Sequence, residues 1–90
     1  MGINRRATKR DANEPEIIKA LREVGATVQT ISETNVTDLL VGYQGVNYLI
    51  EVKMPKGKLS SGQKDWHLSW DGQVSVARSV DDALSVLGIL

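Results

Sequence analysis

Apolar residues recur at helical spacing through "DANEPEIIKALREVGA", where Ile17, Ile18, Leu21 and Val24 form one stripe. Asp11 or Asn13 can cap this helix, Pro15 suits its first turn, and Gly25 closes it. The period then shortens to two. "TVQTI" alternates as a strand over 27–31, and "VTDLLVGY" and "VNYLIEVK" predict two more, joined at Gln44-Gly45. In "MPKGKLSSG", Pro55 and Gly57 stop the sheet, and Ser60 or Ser61 starts a second helix over "SGQKDWHLSW". Asp71-Gly72 turns the chain into a last strand, "QVSVAR", and "SVDDALSVLGIL" closes it as a helix beginning at Ser79.

The predicted order is α-β-β-β-α-β-α, an α/β (α+β) class for which a mixed sheet flanked by helices is the compact solution. Ninety residues make one domain, read as 11–90, preceded by a basic, aperiodic arm over 1–10 that predicts a flexible segment. A chain this short buries only about 60–65% of its unfolded surface. It has no cysteine, hence no disulfide and no thiolate chemistry. No stretch reaches the roughly 20 apolar residues of a membrane span, and "MGINRRATKR" is followed by no apolar run of a secretory signal. The expectation is a soluble protein of the cytoplasm with no membrane partner.

The face alternation gathers charge. With Gln44 and Gly45 as the central turn residues, Tyr43 faces Val46, and the same register sets Asp38 opposite Glu51. Directly opposed residues have Cβ atoms about 4.5–5.5 Å apart. Lys53 shares the face of Glu51, with Val52 on the other. Two opposed carboxylates repel, unless a divalent cation lies between them. Oxygen donors suit Mg²⁺ or Mn²⁺. An exposed sheet face with a Glu–Lys neighbour pair is the simpler alternative. Glu14 changes the balance: at about 100° per residue it falls on the apolar stripe of the first helix, while Glu16 points away. A carboxylate there is either a helix-terminus cap or a third ligand.

Gln63, in the first turn of the second helix and three before Trp66, lies on that helix's inner side, within reach of the same place. His67 is the sole histidine, read as a packing residue or a DNA contact and not as a ligand. Trp66 and Trp70 read as core. The formal net charge is zero, which argues against nonspecific binding of nucleic acid by bulk charge. The distribution is uneven, however. Arg5, Arg6, Lys9 and Arg10 cluster at the start, and Lys53, Lys56, Lys58 and Lys64 around the central loop, as two candidate phosphate-contacting surfaces. Solvated loops would carry the same pattern.

"TDLLVGYQGVNYLIEVKMPKGKLSSGQKDWH", with "NEPEIIKALREVGA" upstream, resembles the PD-(D/E)xK nuclease superfamily, specifically the small stand-alone VRR-NUC domains of phages and bacteria. The resemblance runs from about Asn13 to Ala83 and includes the spacing from the aspartate to E-x-K to the helix glutamine. It implies a restriction-endonuclease-like α-β-β-β-α-β core. By position it places metal-binding acids at Asp38 and Glu51, a catalytic lysine at Lys53, the helix glutamate at Glu14 and the second-helix glutamine at Gln63. Thr37 stands where the motif usually has proline.

What the resemblance implies is Mg²⁺- or Mn²⁺-dependent hydrolysis of DNA phosphodiesters, structure-specific and by a homodimer, on branched DNA such as four-way Holliday junctions. Asp38, Glu51 and the Val52 carbonyl would hold the ion, with Glu14 assisting. Gln63, Lys56, Lys58, Lys64, Arg5, Arg6 and Arg10 would hold the DNA. Two other readings stand beside it: a non-catalytic DNA-binding or assembly domain that retains the nuclease fold, and a structural protein with surface charge pairs only.

Overall fold

The computed structural model describes residues 10–90, so Arg5, Arg6 and the rest of the predicted arm up to Lys9 lie outside the described residues. The chain runs α1 (Glu14–Glu23), β1 (Thr27–Thr30), β2 (Leu39–Tyr43), β3 (Val46–Val52), α2 (Ser61–Ser69), β4 (Ser75–Ala77) and α3 (Val80–Val86). This is the predicted order. The four strands form one mixed sheet in the order β1-β2-β3-β4, antiparallel except for the parallel pair β3/β4.

The hairpin has the predicted register, Tyr43 opposite Val46 and Leu39 opposite Ile50. Gln44 and Gly45 both have positive φ, 51° and 82°. That is the conformation of a tight two-residue turn whose twist matches the strands. Gly25, at φ 98°, ends α1 in the left-handed conformation, and Ala26 N–H then donates to the Leu21 carbonyl at 3.0 Å.

Leu39, Val41, Ile50, Val52 and Ala77 bury one sheet face against Ile17 and Leu21 of α1 and Ala83 and Leu87 of the α3 region. The other face, which carries Glu51, is covered near that residue by α2, through Gln63 and His67. The sheet is thus flanked by helices on both sides. Among the described residues no helix is long and apolar enough to cross a membrane.

Several local expectations change. Asn13 occupies the cap position of α1 but makes no capping bond. Its side-chain N–H groups instead donate to the carbonyls of Lys53 (3.1 Å) and Arg78 (3.2 Å), tying the helix start to the ends of β3 and β4. Val24 is the C-cap, 36% exposed, and leaves the apolar stripe. β4 is shorter than the alternating segment, because the Gln73 side chain takes the place of a strand backbone, accepting from Leu49 N–H (2.7 Å) and donating to Leu49 C=O (2.9 Å).

The tryptophans are not core. α2 buries no residue, and Trp70 is 44% exposed, stacked on Trp66 with ring centroids 5.0 Å apart. The side of α2 that meets the sheet is used by Gln63 and His67, so the rings pack on each other. Gly72 permits this: a Cβ there would stand 2.8 Å from the Trp70 indole nitrogen.

Candidate active site

Asp38 sits one residue before β2 and Lys53 one residue after β3, so both belong to the same end of the hairpin. Asp38 continues the ladder with its side chain: Oδ2 accepts the Val52 N–H at 2.8 Å, and its carbonyl accepts Ile31 N–H at 2.7 Å. These bonds fix the carboxylate where the sheet ends. Thr37 before it is fully buried, with its Oγ1 unpartnered.

Glu51 is 1% exposed, an unusual setting for a carboxylate. Gln63 Nε2 donates to its Oε2 at 3.2 Å, and Lys53 Nζ stands 4.0 Å from the same oxygen. Gln63 is itself held, since its Oε1 accepts from Ser60 N–H (2.9 Å) while Ser60 Oγ accepts from Gln63 N–H (3.1 Å). This reciprocal cap starts α2 and aims the amide at Glu51. Ser60 is therefore the cap of α2.

The other oxygen, Glu51 Oε1, has no donor. Burial first, then a proton that Glu51 can share with Asp38, then the charge of Asp38, raise its pKa from 4.5 to about 8, against a smaller lowering by Lys53. His67 Nε2, likewise buried and unpartnered, lies 3.7 Å from Oε1. Burial depresses the pKa of His67, so its imidazole is held toward the neutral form.

Glu14 is buried as its position on the helix stripe predicts, but its Oε1 accepts from Arg10 Nε at 2.6 Å. Arg10 also donates to the carbonyls of Ile31 (3.3 Å) and Asp38 (3.1 Å), and its Nη2 lies 3.8 Å from Asp38 Oδ1. The guanidinium thus bridges Glu14 and Asp38, and Glu14 in turn raises its pKa. Arg10 was expected among free DNA contacts at the end of an arm. It is instead an internal clamp, because three acceptors converge on it with the Asp38 carboxylate close by.

The structure brings Asp38, Glu51, Lys53 and Gln63 together, with Val52 beside them through its amide, and it places Glu14 one guanidinium away. Lys56, Lys58 and Lys64 are exposed. Among the described residues, no three His, Cys, Asp or Glu side chains close around one point. The donor chemistry nevertheless fits a divalent ion: Glu51 Oε1 and Glu14 Oε2 are buried carboxylate oxygens without donors, and Asp38 adjoins Glu51. Such ions complete their shells with water.

Sequence reasoning missed Arg10 and His67 as parts of this cluster. Each stands four residues from its partner: His67 after Gln63, on one face of α2, and Arg10 before Glu14, just ahead of α1. That spacing was the available signal. Compared with protein-family models, with curated proteins and with solved structures, the chain matches none.

Proposed function

We propose that the chain is a divalent-metal-dependent endonuclease that hydrolyses DNA phosphodiesters, the activity implied by its resemblance to VRR-NUC domains of the PD-(D/E)xK superfamily. One observation carries this reading: the wholly buried Glu51 carboxylate, with one oxygen lacking a donor, lies beside Asp38, Lys53 and Gln63 at one end of the hairpin. Carboxylates gathered in this way are costly without a counter-charge.

Asp38, Glu51 and the Val52 carbonyl would hold Mg²⁺ or Mn²⁺, with Glu14 assisting directly or through water. Bound there, the ion supplies Lewis-acid polarisation of the phosphate and a lowered pKa for its water. Lys53, next to Glu51, orients the attacking water and offsets the charge that builds on the phosphate oxygens. Gln63 keeps Glu51 in its rotamer. Lys56, Lys58 and Lys64, exposed on the loop and helix beside the site, contact the phosphate backbone, joined by Arg5 and Arg6. Branched DNA as substrate, a homodimer that makes paired cuts, and work in the cytoplasm of a bacterial cell or phage-infected host belong to the same proposal.

The test is cleavage of labelled four-way junctions, flaps, single strands and duplexes with Mg²⁺, with Mn²⁺ and with excess EDTA. Metal-dependent cleavage of at least one substrate is expected. Undiminished cleavage in EDTA, or no cleavage of any substrate, overturns the reading. The bridge from Arg10 to Glu14 and Asp38 favours a second reading, a DNA-binding or assembly domain without catalysis, because a guanidinium already balances two of the acids. That reading predicts junction binding without cleavage in every metal condition.

A further inference from the structure

Glu51 divides its two oxygens between different neighbours. Oε2 is occupied by the Gln63 amide and by Lys53. Oε1 faces His67 Nε2 across 3.7 Å, too far for a hydrogen bond between them, and neither atom has another partner. Two buried polar atoms opposed in this way call for a third atom between them. If each stood about 2.1 Å from one divalent ion, ligand angles between about 90° and about 120° would set the pair roughly 3.0–3.6 Å apart, so a shift of about 0.1 Å or more from the 3.7 Å seen lets one ion bridge them.

We propose that His67 Nε2 and Glu51 Oε1 are ligands of the same divalent cation, so that the site takes a nitrogen donor in addition to its carboxylates. This rests on the metal-dependent reading above and adds an ion preference to it. Oxygen-only sets suit Mg²⁺, whereas imidazole favours first-row transition ions. The site therefore selects Mn²⁺ or Co²⁺ over Mg²⁺. The helix supports the assignment: Gln63 and His67, four apart on α2, approach the two oxygens of one carboxylate, so the same face that orients Glu51 delivers the imidazole.

His67 is the only histidine in the chain, which makes the test assignable to one residue. The untagged protein, labelled with ¹⁵N-histidine and loaded with Mn²⁺, is examined by pulsed electron paramagnetic resonance for imidazole nitrogen coupling. Calorimetry compares Mn²⁺, Co²⁺ and Mg²⁺ binding by wild type, His67→Ala and His67→Gln. The expected result is a ¹⁵N coupling in wild type, with a loss on the order of tenfold or more in Mn²⁺ and Co²⁺ affinity in both variants and a smaller loss for Mg²⁺. Mn²⁺ bound by wild type without nitrogen coupling overturns the His67 assignment and leaves the nuclease reading standing. No binding of any of the three ions overturns both. The spectroscopic readout needs only wild type, so a variant that fails to fold does not blunt the test.

Discussion

Ile50 and Val52 point from β3 into the apolar layer under α1 and α3, whereas Glu51, between them, points to the side covered by α2. All three are buried almost completely, but for opposite reasons. The first side is dry and close-packed, and its energy comes from area removed from water. The second is polar: a carboxyl group with a raised pKa, held by an amide and a lysine, with an imidazole 3.7 Å away. One strand thus stabilises the domain with its even positions and places a buried carboxyl group at an odd one. Stability and chemistry should therefore separate when either face is changed.

The largest effect is expected on the α2 side and on activity alone. Lys53→Ala should slow DNA cleavage by about 10²–10³-fold, the scale of removing one preorganised electrostatic group, while junction binding and thermal stability stay near wild type. Full activity in this variant would remove Lys53 from the mechanism. On the other side, Leu21→Ala should cost about 2–5 kcal/mol in denaturant unfolding, with the cleavage rate of the folded fraction unchanged. A loss of rate without loss of stability would break the division between faces.

The pH dependence of the metal-free protein sharpens the contrast. The Glu51 carboxyl ionises at its ordinary 4.5 when unfolded and at about 8 when folded. Its contribution to stability is thus present below about 4.5, declines as pH rises and is lost above about 8, because the unfolded state releases its proton first. In EDTA, Glu51→Gln should gain stability relative to wild type through that window, measured as the difference in unfolding midpoint at pH 5 and pH 8.5. An equal difference at both values would show that Glu51 ionises normally. The smallest effect belongs to the start of α2. Ser60→Ala should cost about 1 kcal/mol and lower the cleavage rate with it, because the same cap orients Gln63. A stability loss with no rate change would detach Gln63 from the site.

Much of this was legible in the sequence, where local rules decide the outcome. The hairpin register followed from a two-residue turn, and a fixed turn leaves no freedom in which residues oppose; Asp38 and Glu51 followed from it. Glu14 followed from the helical period. What the sequence left hidden depends on the reach of long side chains. Arg10 lay in a basic run that reads as an arm, yet it folds back onto Glu14, Asp38 and the Ile31 carbonyl, acceptors far apart in sequence. The tryptophans read as core, yet they stack on each other outside it. Helix α2 was read as amphipathic with an aromatic inner side, but its sheet-facing residues are polar because the sheet position beneath them is Glu51. Asn13 was read as a cap by residue type, whereas two distant carbonyls claim its side chain.

The reciprocal cap at the start of α2 has a kinetic consequence. The helix buries no residue of its own, so its attachment to the sheet depends on Gln63 and His67 meeting Glu51. Its amides should exchange with solvent through local opening, long before those of α1 are released by global unfolding. Each such opening would uncover Glu51 to water. The helix is then a door as well as a wall.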